Sequence, residues 1–155
     1  MPRAVRQPLR TSYDDAVTSP HDLVGSWILE REVDDHLTGE RRRVEGTTTL
    51  RVQDDGSIRW DEIGTMRWAW HEVPVSRTLF VVERDGAWWV TFEDGRDFHP
   101  WVPGTEVDHP CAPDHYRGLV EVVDADTWTV RWSARGPSKD YSMWSRLTRD
   151  DAADA

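Results

Sequence analysis

Residues 57–70 read Ser57-Ile58-Arg59-Trp60-Asp61-Glu62-Ile63-Gly64-Thr65-Met66-Arg67-Trp68-Ala69-Trp70. The even positions carry Ile58, Trp60, Glu62, Gly64, Met66, Trp68 and Trp70, and the odd ones include Arg59, Asp61, Thr65 and Arg67. A period of two with one apolar face is the pattern of a half-buried β-strand. A slip of one residue would put every tryptophan of the stretch into water, so the pattern sets the register. Asp54-Asp55-Gly56 before it is a tight turn. Before that turn, residues 41–52 send Val44, Gly46, Thr48, Leu50 and Val52 to one face.

The same alternation runs outward along the chain, and helical periodicity is hard to find. It predicts strands over 24–33, 41–52, 57–70, 78–83, 87–93, 96–101, 116–123, 127–133 and 140–149. Asp85-Gly86 and Asp94-Gly95 supply further turns. Between Pro100 and Pro113 the chain holds four prolines, so residues 102–113 are expected as a loop and not as an interior strand. Ser19-Pro20-His21-Asp22-Leu23 offers a cap and an N1 proline, enough for one helical turn. Nine antiparallel strands in series predict an all-β fold, an up-and-down barrel; a two-sheet sandwich is the alternative. Closure would remove the exposed edges that strands this rich in Trp and Val cannot leave open.

The chain has 155 residues, enough for one domain with a sizeable core. The Pro-, Ser-, Thr- and Arg-rich segment 1–20 is expected to be frayed, 21–149 to form the barrel, and the acidic segment 150–155 to be disordered. A net charge of −10 disfavours nucleic acids and anionic membranes as partners. Arg41-Arg42-Arg43, the one basic run, reads as a solvated strand face. No run of 18 apolar residues spans a membrane, and no apolar stretch follows the N-terminal arginines. A lone cysteine cannot form an internal disulfide, so a cytoplasmic location is expected.

Ten tryptophans exceed ordinary usage. A barrel of eight to ten strands is wide enough for one small ligand. Trp60, Trp68, Trp70 and Trp132 are therefore read as lining a cavity for a flat, apolar or aromatic molecule; filling of the core is the competing reading. The neighbours Trp88 and Trp89 cannot both point inward. Glu62 travels inward with the apolar face and needs a partner, for which Arg67, Arg131 and Arg146 are the candidates.

Three of the six histidines and the only cysteine fall within Asp97-Phe98-His99-Pro100-Trp101 and Asp108-His109-Pro110-Cys111-Ala112-Pro113-Asp114-His115-Tyr116. His99 and His109 each precede proline, which holds their backbones extended. The Gly136-Pro137 turn can bring Lys139, the only lysine, and Tyr141 close to them. His109, Glu62, Lys139 and Tyr116 are the candidates for acid–base work; His99, Asp114, Tyr141 and Arg146 are candidates for orienting a ligand. The plainer reading is that these groups hydrogen-bond a proline-rich loop into place. The donors suit zinc or iron, but their spacing matches no standard framework, so no metal site and no cofactor is expected, with zinc and haem as lesser alternatives. Four nearby acids work against a Cys111 thiolate, and Cys111 reads as a small buried hydrophobe.

Leu23-Val24-Gly25-Ser26-Trp27 resembles the first-strand signature of lipocalins and other calycins. That resemblance implies an arginine from the last strand packed over the tryptophan, either Arg146 or Arg149. A closer resemblance is to a bacterial lipocalin-like family catalogued as a domain of unknown function, number 6314. It is carried by Gly25-Ser26-Trp27, Glu62-Ile63-Gly64, Arg67-Trp68, the stretch Phe92 to His99, the stretch His109 to Tyr116, and Gly136 to Tyr141. It implies a calycin-type barrel and brings no activity. Small-molecule binding is the function expected. A cofactor-independent isomerase, cyclase or dehydratase in the same pocket is the alternative. A third reading is an interaction module that forms a homodimer through exposed Trp88 or Trp89.

Overall fold

The computed structural model describes residues 19–152. Most of the segments expected to be frayed, residues 1–18 and 153–155, lie outside the described residues. A 3₁₀ turn, Pro20–Leu23, is capped by the Ser19 side chain, which accepts from the His21 N–H. Ten strands follow: β1 Gly25–Asp35, β2 Arg41–Val52, β3 Ile58–Trp68, β4 His71–Arg84, β5 Ala87–Phe92, β6 Asp97–Pro100, β7 Val107–Cys111, β8 Asp114–Asp124, β9 Thr127–Arg135 and β10 Asp140–Arg149. They form one antiparallel sheet in the order β6-β5-β4-β3-β2-β1-β10-β9-β8-β7. The pairing of β1 with β10 curls this meander into a nearly closed barrel. Its two edges, β6 and β7, lie side by side without pairing in the sheet. Among the described residues no helix is long and apolar enough to cross a membrane.

Several expectations change. The barrel has ten strands, because β7 forms inside the proline-rich segment 102–113. It pairs only with β8 and sits at a sheet edge, where Pro110 is tolerated. Cys111, at the end of β7, is exposed and not a buried hydrophobe. The strand over 57–70 stops at Trp68, because Ala69 takes φ 49°. That turn swings Trp70 out to 93% exposure, not inward as the alternation suggested. β4 starts at His71, well before the expected position 78. It pairs with β5 only from Leu79 onward, so its first half, Pro74 included, has one side free.

One end of the barrel is filled with indole. Trp27, Trp60 and Trp128 are fully buried and meet edge to face, at centroid distances of 5.9 Å and 5.4 Å. Such pairs add about 0.5–1.5 kcal/mol each beyond the area they bury. Trp88 is covered edge-on by His21 and Trp89 is half-buried. The Trp27 indole N–H donates to the Leu23 carbonyl at 2.9 Å. Arg149 lies over the Trp27 ring at 4.2 Å and donates to the carbonyls of Asp22, Val24 and Ala125. Arg149, and not Arg146, therefore supplies the closing cation; Arg146 is exposed on the outer face of β10. Replacing Arg149 with Met is expected to destabilise the fold by about 2 kcal/mol in urea unfolding, from the lost cation–π contact and three carbonyl bonds. Arg146→Met should change stability by less than about 0.5 kcal/mol; equal losses would mean that Arg149 closes nothing.

Candidate functional site: a charged layer beneath the open barrel end

Antiparallel order gathers five turns at the end away from the indole core: β1–β2, β3–β4, β5–β6, β7–β8 and β9–β10. Below this open end the strand alternation carries charge into the interior. On β1 the inward series is Trp27, Leu29, Arg31 and Val33. On β3 Glu62 follows Trp60, and β4 sets Arg77 directly opposite Glu62. Glu62 is only 4% exposed. Arg31 donates to both of its carboxylate oxygens through Nη2, at 2.9 Å and 3.0 Å. Arg77 donates to Oε1 at 2.9 Å, and the Thr48 hydroxyl to Oε2 at 3.3 Å. Arg31 Nε also donates to Ser145 Oγ at 2.7 Å.

These partners replace the three expected for Glu62. Arg67 lies on the outer face of β3, where it meets Glu45 and Glu72, and Arg131 and Arg146 are exposed on outer faces. Burial pushes the Glu62 carboxyl up, but Arg77 and then Arg31 outweigh it and hold it below the ordinary carboxylate value. Burial is also the largest influence on Arg77 and lowers its pKa, against the pull of Glu62.

Above this layer lies a cavity of about 140 Å³. Leu29, Val33, Val44, Met66, Val75 and Met143 form its apolar wall, and Arg31, Glu62 and Arg77 its floor. Gly64 borders it; a Cβ there would come within 2.6 Å of the Glu45 carbonyl oxygen, so β2 and β3 approach closely only because the residue is glycine. The tryptophans expected to line the cavity lie elsewhere. Trp60 is in the core beneath the layer. Trp132 is buried and stacks on Phe98 at 4.7 Å. Trp68 stands at the rim, stacked on His71, with the Arg42 guanidinium 4.0 Å from its ring. The wall is aliphatic and thioether.

The residues of the proline-rich stretch divide into three groups. His99 and His109 sit at the seam between β6 and β7, and His109 packs edge-on against Phe92 and Phe98 at 5.7 Å and 5.3 Å. His99 is buried, and its Nδ1 lies 2.8 Å from the Pro100 carbonyl oxygen. A carbonyl only accepts, so Nδ1 carries the proton and Nε2 keeps its lone pair. Burial drives the His99 pKa down to about 4. At the rim, Lys139 donates to the Tyr116 hydroxyl at 3.1 Å and pairs with Asp114 at 3.4 Å. Those two partners push Lys139 up to about 12. Burial raises Tyr141, which feels the charges of both Lys139 and Arg77. Cys111 and His115 stand apart; His115 is exposed and meets Asp108 at 3.1 Å. Among the described residues no three His, Cys, Asp or Glu side chains form a metal-holding group.

The sequence matches the family of unknown function DUF6314 over residues 23–149. The chain belongs to that family. No curated protein matches it. The S-type phycobiliprotein lyase CPES from Guillardia theta shares its fold, with TM-score 0.59, 13% identity, and coverage of 91% of this chain and 94% of that one. EF1p2_mFAP2b, solved bound to DFHBI, has TM-score 0.51, 9% identity, and coverage of 87% and 99%. A protein of unknown function from the DUF3598 family of Nostoc punctiforme has TM-score 0.52, 8% identity, and coverage of 83% and 47%.

Sequence reasoning missed Arg31 and Arg77 in this DUF6314 barrel. Arg31 was within reach, since it continues the inward series from Trp27. Arg77 was not, because its place depends on the β4 register. The buried imidazole sets a pH dependence. A folded pKa of about 4 against an unfolded 6.5 means that the unfolded chain takes up the proton first. The His99 contribution is therefore complete above pH 6.5 and is lost as pH falls toward 4, up to about 3 kcal/mol. Urea unfolding across that window should show the loss, and His99→Phe should flatten it; a wild-type curve with no slope there would place a charged imidazole in the native state.

Proposed function

We propose that this DUF6314 barrel binds a small molecule whose apolar body sits in the open-end cavity and whose polar end faces the Arg31–Glu62–Arg77 floor. The observation that carries this is an open apolar space of about 140 Å³ directly over a hydrogen-bonded charged layer. A dry engineered cavity of about 150 Å³ takes up benzene, so the enclosed body is one ring or a short branched chain. Met66 and Met143 give the wall the adaptability of thioether side chains. Asp114, Tyr116, Lys139 and Tyr141 stand at the rim, where they would meet whatever protrudes. The fold neighbour solved with DFHBI supports the general idea that barrels of this shape hold small molecules. The exposed, unpaired Cys111 thiol suits a reducing, cytoplasmic setting.

An isomerase-, cyclase- or dehydratase-type reaction has less support. Glu62 is held ionised with both oxygens engaged, and Lys139 stays an ammonium ion near neutral pH; neither is a ready base.

Titration with benzyl alcohol, a neutral single-ring probe, should move the Met66 and Met143 methyl resonances saturably. Val33→Phe places a ring in the cavity and should weaken that binding about tenfold or more while the circular dichroism spectrum is kept. Saturable binding by none of benzyl alcohol, 1-hexanol and benzoate would overturn the proposal.

A further inference from the structure

Among the described residues the charges inside the barrel do not cancel. Arg31 and Arg77 face one carboxylate, Glu62, so two positive charges against one negative leave a single positive charge at the cavity floor. On its groove side Arg77 shares the lining with Glu93, Asp94 and Arg96, of which Asp94 and Arg96 pair with each other, and at the rim Lys139 is matched by Asp114. The two arginines are also unequally satisfied. Arg31 uses Nε on Ser145 and Nη2 on both Glu62 oxygens. Among the described residues Arg77 makes a single side-chain hydrogen bond, through Nη2, and its buried Nε has no partner. The Arg77 side chain is nevertheless 32% exposed, so part of it borders open space. It faces the cavity on one side and, on the other, a groove beside Thr78 and Phe92 that opens where β5 ends.

A buried N–H left without a partner is costly, and an anion that pairs with the guanidinium offsets that cost. A planar donor fork fits a planar two-oxygen acceptor best. A cation would add to the floor's charge, and a dianion such as a phosphate monoester would overshoot it and bury a net negative charge.

We propose that the cavity selects a monoanionic carboxylate, with Arg77 as the receiving residue and Arg31 beside it holding Glu62 in place. This rests on the reading of the open end as a ligand site and names the class of its ligand. Arg77 is thereby a specificity-determining residue, because it distinguishes a carboxylate from a neutral molecule of the same shape.

The test compares benzoate with benzyl alcohol on the full chain by NMR titration. Benzoate is expected to bind about tenfold tighter or more, in line with a hydrogen bond to a charged group. In wild-type protein the Arg77 Nε–H resonance should shift with benzoate and stay put with benzyl alcohol, a readout that needs no variant. In Arg77→Met the two probes should bind with equal affinity. If benzyl alcohol binds and benzoate binds no tighter, the carboxylate inference falls while the ligand-site reading stands. If neither binds, the carboxylate inference falls, and the ligand-site reading falls with it when 1-hexanol also fails to bind. A benzoate preference that survives in Arg77→Met, or an Arg77 Nε–H resonance indifferent to benzoate, would place the anion elsewhere and overturn the inference.

Discussion

One buried carboxylate ties half of this barrel together. Glu62 on β3 takes hydrogen bonds from Arg31 on β1, Arg77 on β4 and Thr48 on β2, and Arg31 reaches on to Ser145 on β10. Four neighbouring strands thus meet at one ionised group, and a fifth joins through Arg31. Moving these charges out of water costs several kcal/mol per ion, and only close, multiple hydrogen bonds offset that. Removing Glu62 alone would leave two guanidiniums facing each other, which is worse than never having buried the trio. The layer is therefore an all-or-none feature, and it divides the interior in two.

Below the layer the interior is filled. Trp27, Trp60 and Trp128 interlock, and Arg149 closes that end. Above it, smaller side chains and Gly64 leave space. The question of a hollow or a filled barrel thus has both answers, one for each end. The indoles supply stability, and the aliphatic and methionine side chains line the opening. The seam between β6 and β7 is bridged by Phe98 edge-on to His109, with Phe98 also stacked on Trp132 of β9, in place of strand hydrogen bonds.

How much of this was legible varied with the local physics. Strands over 41–52 and 140–149 were readable to the residue, because strong alternation and clear turns bound them. The Gly25-Ser26-Trp27 signature pointed to a cation over Trp27, and Arg149 is that cation. Glu62 was legibly inward, since its neighbours on the same face are Trp60 and Gly64. Of its partners, Arg31 continues a legible inward series but Arg77 does not, because its place follows from pairing between β3 and β4, and residues 71–76 show no clean alternation. Trp70 misled because nothing in the sequence announces the positive φ at Ala69. β7 was hidden because its prolines read as breakers, and only its edge position makes them harmless. Local pattern carried the fold well; the site, built from residues far apart in the chain, was carried by register.

The charged layer depends on Glu62 being ionised and doubly bridged inside the barrel. A carbon-13 NMR titration of its carboxyl resonance measures this directly. The resonance should hold its ionised position as pH falls through the ordinary value of 4.5 and titrate only below it. A midpoint above 4.5 would mean that burial prevails over Arg31 and Arg77, and the charged layer would not exist as described.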